Sequence, residues 1–114
     1  MVKPEYSGVR DLSYSGWHRR LPSWCYTFDI DWVEIRKSKV VALIETKDIK
    51  ANELSSWRKE ICKWISKKLE IPFYVVYHNL SNKEEEPKFI VKDLGTEIIK
   101  TYTETEYRKF LTSL

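Results

Sequence analysis

The run Val40-Val41-Ala42-Leu43-Ile44 limits what this chain can become more than any other segment. Successive strand residues point to opposite faces, so an unbroken apolar run reads as a strand buried on both sides. Such a strand needs cover above and below, which calls for helices laid on a sheet. The run ends in Glu45-Thr46-Lys47. Charge at the end of a doubly buried strand is unfavourable unless something compensates it.

The flanking segments supply the rest of a layered fold. Residues 26–36 read as a strand, 37–39 as a turn and 40–47 as the second strand. Residues 52–70 carry Leu54, Trp57, Ile61, Trp64, Ile65 and Leu69 at helical spacing, with Asn52 as N-cap and Pro72 as the stop. Residues 72–78 form a buried strand, 79–87 a charged loop and 88–94 a short strand. Thr103-x-x-Glu106 is a capping box opening a last helix, with Tyr107, Phe110, Leu111 and Leu114 on one face. Residues 1–23 read as irregular, with one helical turn around residues 17–20. The order β-β-α-β-β-α implies a single domain over residues 1–114, an α/β or α+β sandwich with helices against a central sheet.

The first two strands place chemistry. A three-residue loop at 37–39 pairs Ile35 with Val41, Val33 with Leu43, Asp31 with Glu45 and Asp29 with Lys47. The apolar partners match, so the register is self-consistent. It sets Asp31 opposite Glu45, and like charges facing each other across a ladder are destabilising. A hard divalent cation with oxygen ligands suits such a pair. Lys47, on the same face, points to the same place and can stabilise developing negative charge or orient a water. The plainer alternative is a solvated ladder of Asp, Glu and Lys on a surface hairpin.

The segment FDIDWVEIRKSKVVALIETK, followed by a helix and IPFYVVYH, resembles the PD-(D/E)XK nuclease superfamily. That superfamily includes archaeal Holliday junction resolvases, many restriction enzymes and Mrr-like or RecB-like nucleases. The likeness covers roughly residues 25–95. It implies a restriction endonuclease-like fold, a central mixed sheet flanked by helices, and a Mg²⁺- or Mn²⁺-dependent endonuclease acting on DNA, with RNA also open as a substrate. It implies Asp31 and Glu45 as the metal-holding acids, the Thr46 carbonyl as a further ligand and Lys47 as the catalytic lysine. Ile30 stands where the family motif has proline, and Asp29 competes with Asp31 for the first position. An upstream acid, Glu5 or Asp11, would complete the pattern. The chain has no Gln, so Lys50, Asn52, Trp57 or Arg58 would take the polar position early in the helix. The resemblance to junction resolvases, which pair their subunits, points to a homodimer. Five Trp and seven Tyr point the same way, because aromatics are enriched at interfaces; the last helix is one candidate surface, the alternative being that these aromatics pack the monomer's own sheet.

Trp17-His18-Arg19-Arg20 sets three potential cations beside aromatic residues. Such a cluster can contact phosphates and stack on bases, and His18 can instead act as a base or metal ligand. Its plainer reading is a basic surface turn with its Trp in the core. Lys59, Lys63 and Lys67 read as a solvated helix face, and His78 as a satisfied strand-end histidine. Cys25 and Cys62 match no zinc spacing and read as buried thiols.

Bulk composition narrows the class further. Twenty basic and 17 acidic residues leave a net charge of +3, which weakly favours nucleic acid. No apolar run approaches the ~18 residues needed to cross a bilayer, and residues 1–5 lack the apolar stretch of a signal peptide. These features give the expectation of no membrane partner and a cytoplasmic location, a host cytoplasm if the gene belongs to a virus or mobile element.

Overall fold

The computed structural model describes residues 12–27 and 29–114. The described chain is α/β, with a five-stranded mixed open sheet and three helices. The helices are α1 (Ser13–Arg19), α2 (Ser56–Leu69) and α3 (Glu104–Thr112). The strands are β1 (Trp32–Arg36), β2 (Lys39–Asp48), β3 (Phe73–His78), β4 (Lys88–Asp93) and β5 (Ile99–Thr103). They lie in the order β1-β2-β3-β4-β5. Only β2 and β3 run parallel. A parallel pair needs a crossover, and α2 supplies it.

The apolar run is buried at its centre and C-terminal end, while Val40, next to the hairpin turn, is 43% exposed. Ala42, Leu43 and Ile44 are each 3% exposed or less. Leu43 joins Leu54, Cys62, Phe73, Val75 and Leu94 on the α2 side of the sheet. Ile44 joins Val76, Phe89 and Val91 on the other side, under Tyr107, Phe110 and Leu111 of α3. The apolar face of α3, expected at a dimer interface, therefore packs on the molecule's own sheet. Tyr107 stacks on Phe89 at 4.3 Å, and Phe110 meets Tyr74 edge-on at 5.1 Å.

Several boundaries differ from the sequence reading. The strand expected from residue 26 begins at Trp32. The loop after it has two residues, Lys37 and Ser38, both left-handed (φ 51° and 64°), the conformation of a tight hairpin turn. Arg36 therefore pairs with Lys39 and Ile35 with Val40, not Val41. A bulge at Val41 absorbs the extra residue, and Val33↔Leu43 is restored as expected. α2 starts at Ser56 with Ser55, not Asn52, at the N-cap. Cys62 and Ile65 of α2, with Leu54 just before the helix, pack into the core on the α2 side of the sheet. Trp57, Ile61 and Trp64 are 46%, 40% and 60% exposed, because the sheet is covered by the neighbouring helix row. β5 was not anticipated, and α1 is two turns where one was expected. The capping box of α3 is formed on both sides. Both cysteines are free, with Cys25 half-buried and only Cys62 in the core. No described helix is long and apolar enough to cross a membrane.

Candidate active site

The ladder between β1 and β2 stops at Trp32↔Ile44, and the chain bends there. Ile30 packs against the α2-side core and anchors the bend, so Asp31 emerges beside the next β2 residue. The Asp31 amide donates to Glu45 Oε1 at 3.0 Å. Its carboxylate reaches back, Oδ2 accepting from the Thr46 amide at 2.9 Å and from Thr46 Oγ1 at 3.3 Å. Asp31 and Glu45 are thus neighbours, as the expected register required, held by side chain-to-backbone bonds instead of a further ladder rung. Leu43 and Ile49 donate towards β3, so the alternate residue Thr46 turns its amide, and with it its carbonyl, to the β1 edge where the two acids stand.

Glu45 is only 6% exposed. Burial raises its carboxyl above the ordinary range; the Asp31 amide opposes this, the Asp31 charge adds to it, and the Arg58 and Lys47 charges pull it back. Cys62, a turn beyond Arg58 on α2, is pushed up to about 11 by burial and then by the Glu45 charge. That thiol stays protonated and structural at neutral pH.

An open cleft of about 670 Å³ lies over the pair. Asp29, Asp31 and Glu45 line it together with His18, Arg19 and Arg58. Three acids from the hairpin region therefore face a histidine and two guanidinium groups from α1 and α2. Arg58, one of the four residues that could take the early-helix position, lines the cleft. Lys50, Asn52 and Trp57 do not line the cleft. Lys47 follows Glu45 on the same face of β2 and acts on its charge, but stands outside the cleft lining. The ladder ends before it can set Asp29 opposite Lys47.

Of the basic cluster, His18 and Arg19 reach the cleft, while Trp17 and Arg20 do not line it. Trp17 is 50% exposed and packs on Tyr14 at 5.6 Å. Tyr14, Ser15 and Thr27 complete the lining, and sequence reasoning missed them. Tyr14 and His18 are four apart, so only recognition of α1 as a full helix would have found the face. Glu5 and Asp11 lie outside the described residues. Elsewhere, Lys59 pairs with Glu53, and Lys63 with Glu60 and Glu97, as a solvated face does. His78 Nδ1 accepts from the Leu80 amide.

Among the described residues, no group of three or more His, Cys, Asp and Glu side chains is arranged to hold a metal ion. The donor set is the two adjacent carboxylates that line the cleft and, beside them on β2, the Thr46 carbonyl, turned to the β1 edge but outside the cleft lining. Mg²⁺ fits such a set, because it commonly takes one or two carboxylates and completes its shell with water and phosphate oxygens.

No family model, no curated protein and no solved structure matches this chain. Function has to be argued from the cleft itself.

Proposed function

We propose that this chain is a metal-dependent nuclease that hydrolyses DNA phosphodiester bonds endonucleolytically, with a restriction endonuclease-like core of PD-(D/E)XK type. The observation that carries the reading is the pairing of Asp31 with the buried Glu45 on the floor of an open cleft that also holds arginines. Two acids side by side favour a divalent cation, and arginines favour phosphate.

Asp31 and Glu45, with the Thr46 carbonyl, would hold Mg²⁺ or Mn²⁺. When bound, the ion draws charge from the phosphodiester and makes a water more acidic. The Asp31 amide and the Thr46 amide fix the orientation of the two carboxylates, so little reorganisation is needed on binding. Arg58 and Arg19 contribute guanidinium groups suited to bidentate contact with phosphate oxygens. Lys47 adds positive charge beside Glu45 for the negative charge that develops on phosphorus oxygens, or orients the attacking water. His18, at the cleft wall, would be the group that accepts a proton. Hydrolysis of both strands of a duplex takes two such clefts, and for that case a second copy of the chain is the proposed partner, through a surface other than α3.

A non-catalytic nucleic-acid-binding or assembly domain of the same fold is the second reading. It is favoured by one observation, the place of Lys47 outside the cleft lining. Incubation with labelled DNA and RNA structures in Mg²⁺ or Mn²⁺ separates the two. Cleavage lost in Glu45→Ala supports the nuclease. Tight binding without cleavage in either metal supports the second reading.

A further inference from the structure

The cleft is bordered by aromatic rings that the fold leaves in solvent. Tyr14, which lines it, is 71% exposed, and Tyr26, next to the lining residue Thr27, is 79% exposed. The rings come in pairs. On α1, Tyr14 meets Trp17 with centroids 5.6 Å apart. Next in sequence to the lining residues Thr27 and Arg58, Tyr26 meets Trp57 at 6.0 Å, and the Arg58 guanidinium lies 5.3 Å from the Trp57 ring centroid. Each ring carries large apolar area that folding normally hides, and clustered exposed apolar groups mark an interaction surface. Guanidinium groups that line the cleft neighbour both pairs in sequence: Arg19 beside the first, Arg58 beside the second.

The chemistry of this border selects one kind of ligand. Cations track a polyanionic backbone, while exposed ring faces take flat, π-faced groups. A duplex offers only its backbone and groove edges, since its base faces are covered by their neighbours. Unpaired nucleotides offer phosphates and open base faces together. We infer that the cleft takes single-stranded nucleic acid, with bases stacked on the Tyr14 and Tyr26 rings and phosphates on Arg19 and Arg58. This deepens the nuclease reading, which says what happens to the bound strand, but binding is measured apart from cleavage.

The test is equilibrium binding of the full chain in EDTA to four probes of one length. They are a single DNA strand, its RNA counterpart, an abasic DNA strand and a blunt duplex. The single strand binds about tenfold or more tighter than the abasic strand and the duplex, because the abasic strand keeps the phosphates and loses the stacking. The double variant Tyr14→Ala/Tyr26→Ala loses that margin and keeps the affinity for the abasic strand. Both side chains are exposed, so the core is untouched, and the abasic comparison needs no variant. The DNA and RNA arms identify the sugar preferred. Equal affinity for intact and abasic strands, tighter binding of the duplex, or an unchanged double variant overturns the inference. A homodimer that the double variant dissociates also overturns it, since the rings would then serve a second copy. Strand preference with no Mn²⁺-dependent cleavage supports the stacking groove and removes the nuclease reading alone. Cleavage with the duplex preferred does the reverse.

Discussion

Glu45 is held by a backbone amide, pressed against another acid and almost sealed from water. Its raised carboxyl value has a definite sign for stability. Between the ordinary value of 4.5 and the higher folded value, the native state binds more protons than the unfolded one. Stability therefore falls as pH rises through that window. Glu45→Gln keeps an oxygen for the Asp31 amide and removes the charge. In EDTA at neutral pH its melting temperature should exceed that of the parent, with the difference shrinking as pH falls through that window towards 4.5. Mn²⁺ should stabilise the parent and not the variant, and cleavage should fall by about 10²-fold or more. Melts across pH, with and without metal, check every part of this. The two neighbouring acids are also separable. Asp31 is bonded to Thr46, whereas Asp29 only lines the cleft. Asp29→Asn should therefore reduce cleavage less than Asp31→Asn, measured on one substrate at one metal concentration. The opposite order would make Asp29 the first acid.

At the level of elements, the hairpin of β1 and β2 decides where the acids stand. Its turn places Lys37 and Ser38 in left-handed conformations that suit Asn and Gly. Lys37→Asn with Ser38→Gly should raise stability by about 1 kcal/mol in urea melts, since side chains other than Asn and Gly are strained there. Cleavage should stay unchanged, because the turn lies at the far end of the hairpin from Asp31. If cleavage falls, the turn and bulge set the geometry of the acids more tightly than the bonds around Asp31 indicate. α2 contributes through its packing: Cys62 and Ile65, with Leu54 just before the helix, bind it to the sheet, and that packing carries Arg58 to the cleft.

Over the whole molecule, two layers of helix bury β2 and β3 and leave the cleft at one end of the sheet. α3 belongs to this core. Phe110→Ala removes contacts with Tyr74 and Tyr102, and should lower stability by about 2–4 kcal/mol with no change in solution mass by light scattering. A change in mass would return α3 to the role of an interface. The basic cluster acts at longer range. Arg19→Ala with Arg20→Ala should weaken DNA binding across sequences and make its salt dependence shallower by about one to two ion equivalents. An unchanged salt slope would make the cluster an ordinary solvated turn.

The sequence by itself determined the doubly buried strand, the crossover helix, the capped last helix and the adjacency of Asp31 and Glu45. Each rests on a short-range rule: alternation along a strand, helical spacing, a capping pair, or matched apolar partners across one hairpin. Tertiary structure alone decided the rest. The bulge at Val41 came from a turn one residue shorter than the spacing suggested. Which row of α2 is buried depended on where the sheet lay beneath it, so Arg58 faces the cleft and Trp57 the solvent. The partition of His18 and Arg19 from Trp17 and Arg20 depended on how α1 was set against the hairpin. α3 found its partner in β4 and β5, the latter a strand whose exposed residues carry little pattern. These are long-range choices, made by surfaces that meet only once the chain has folded.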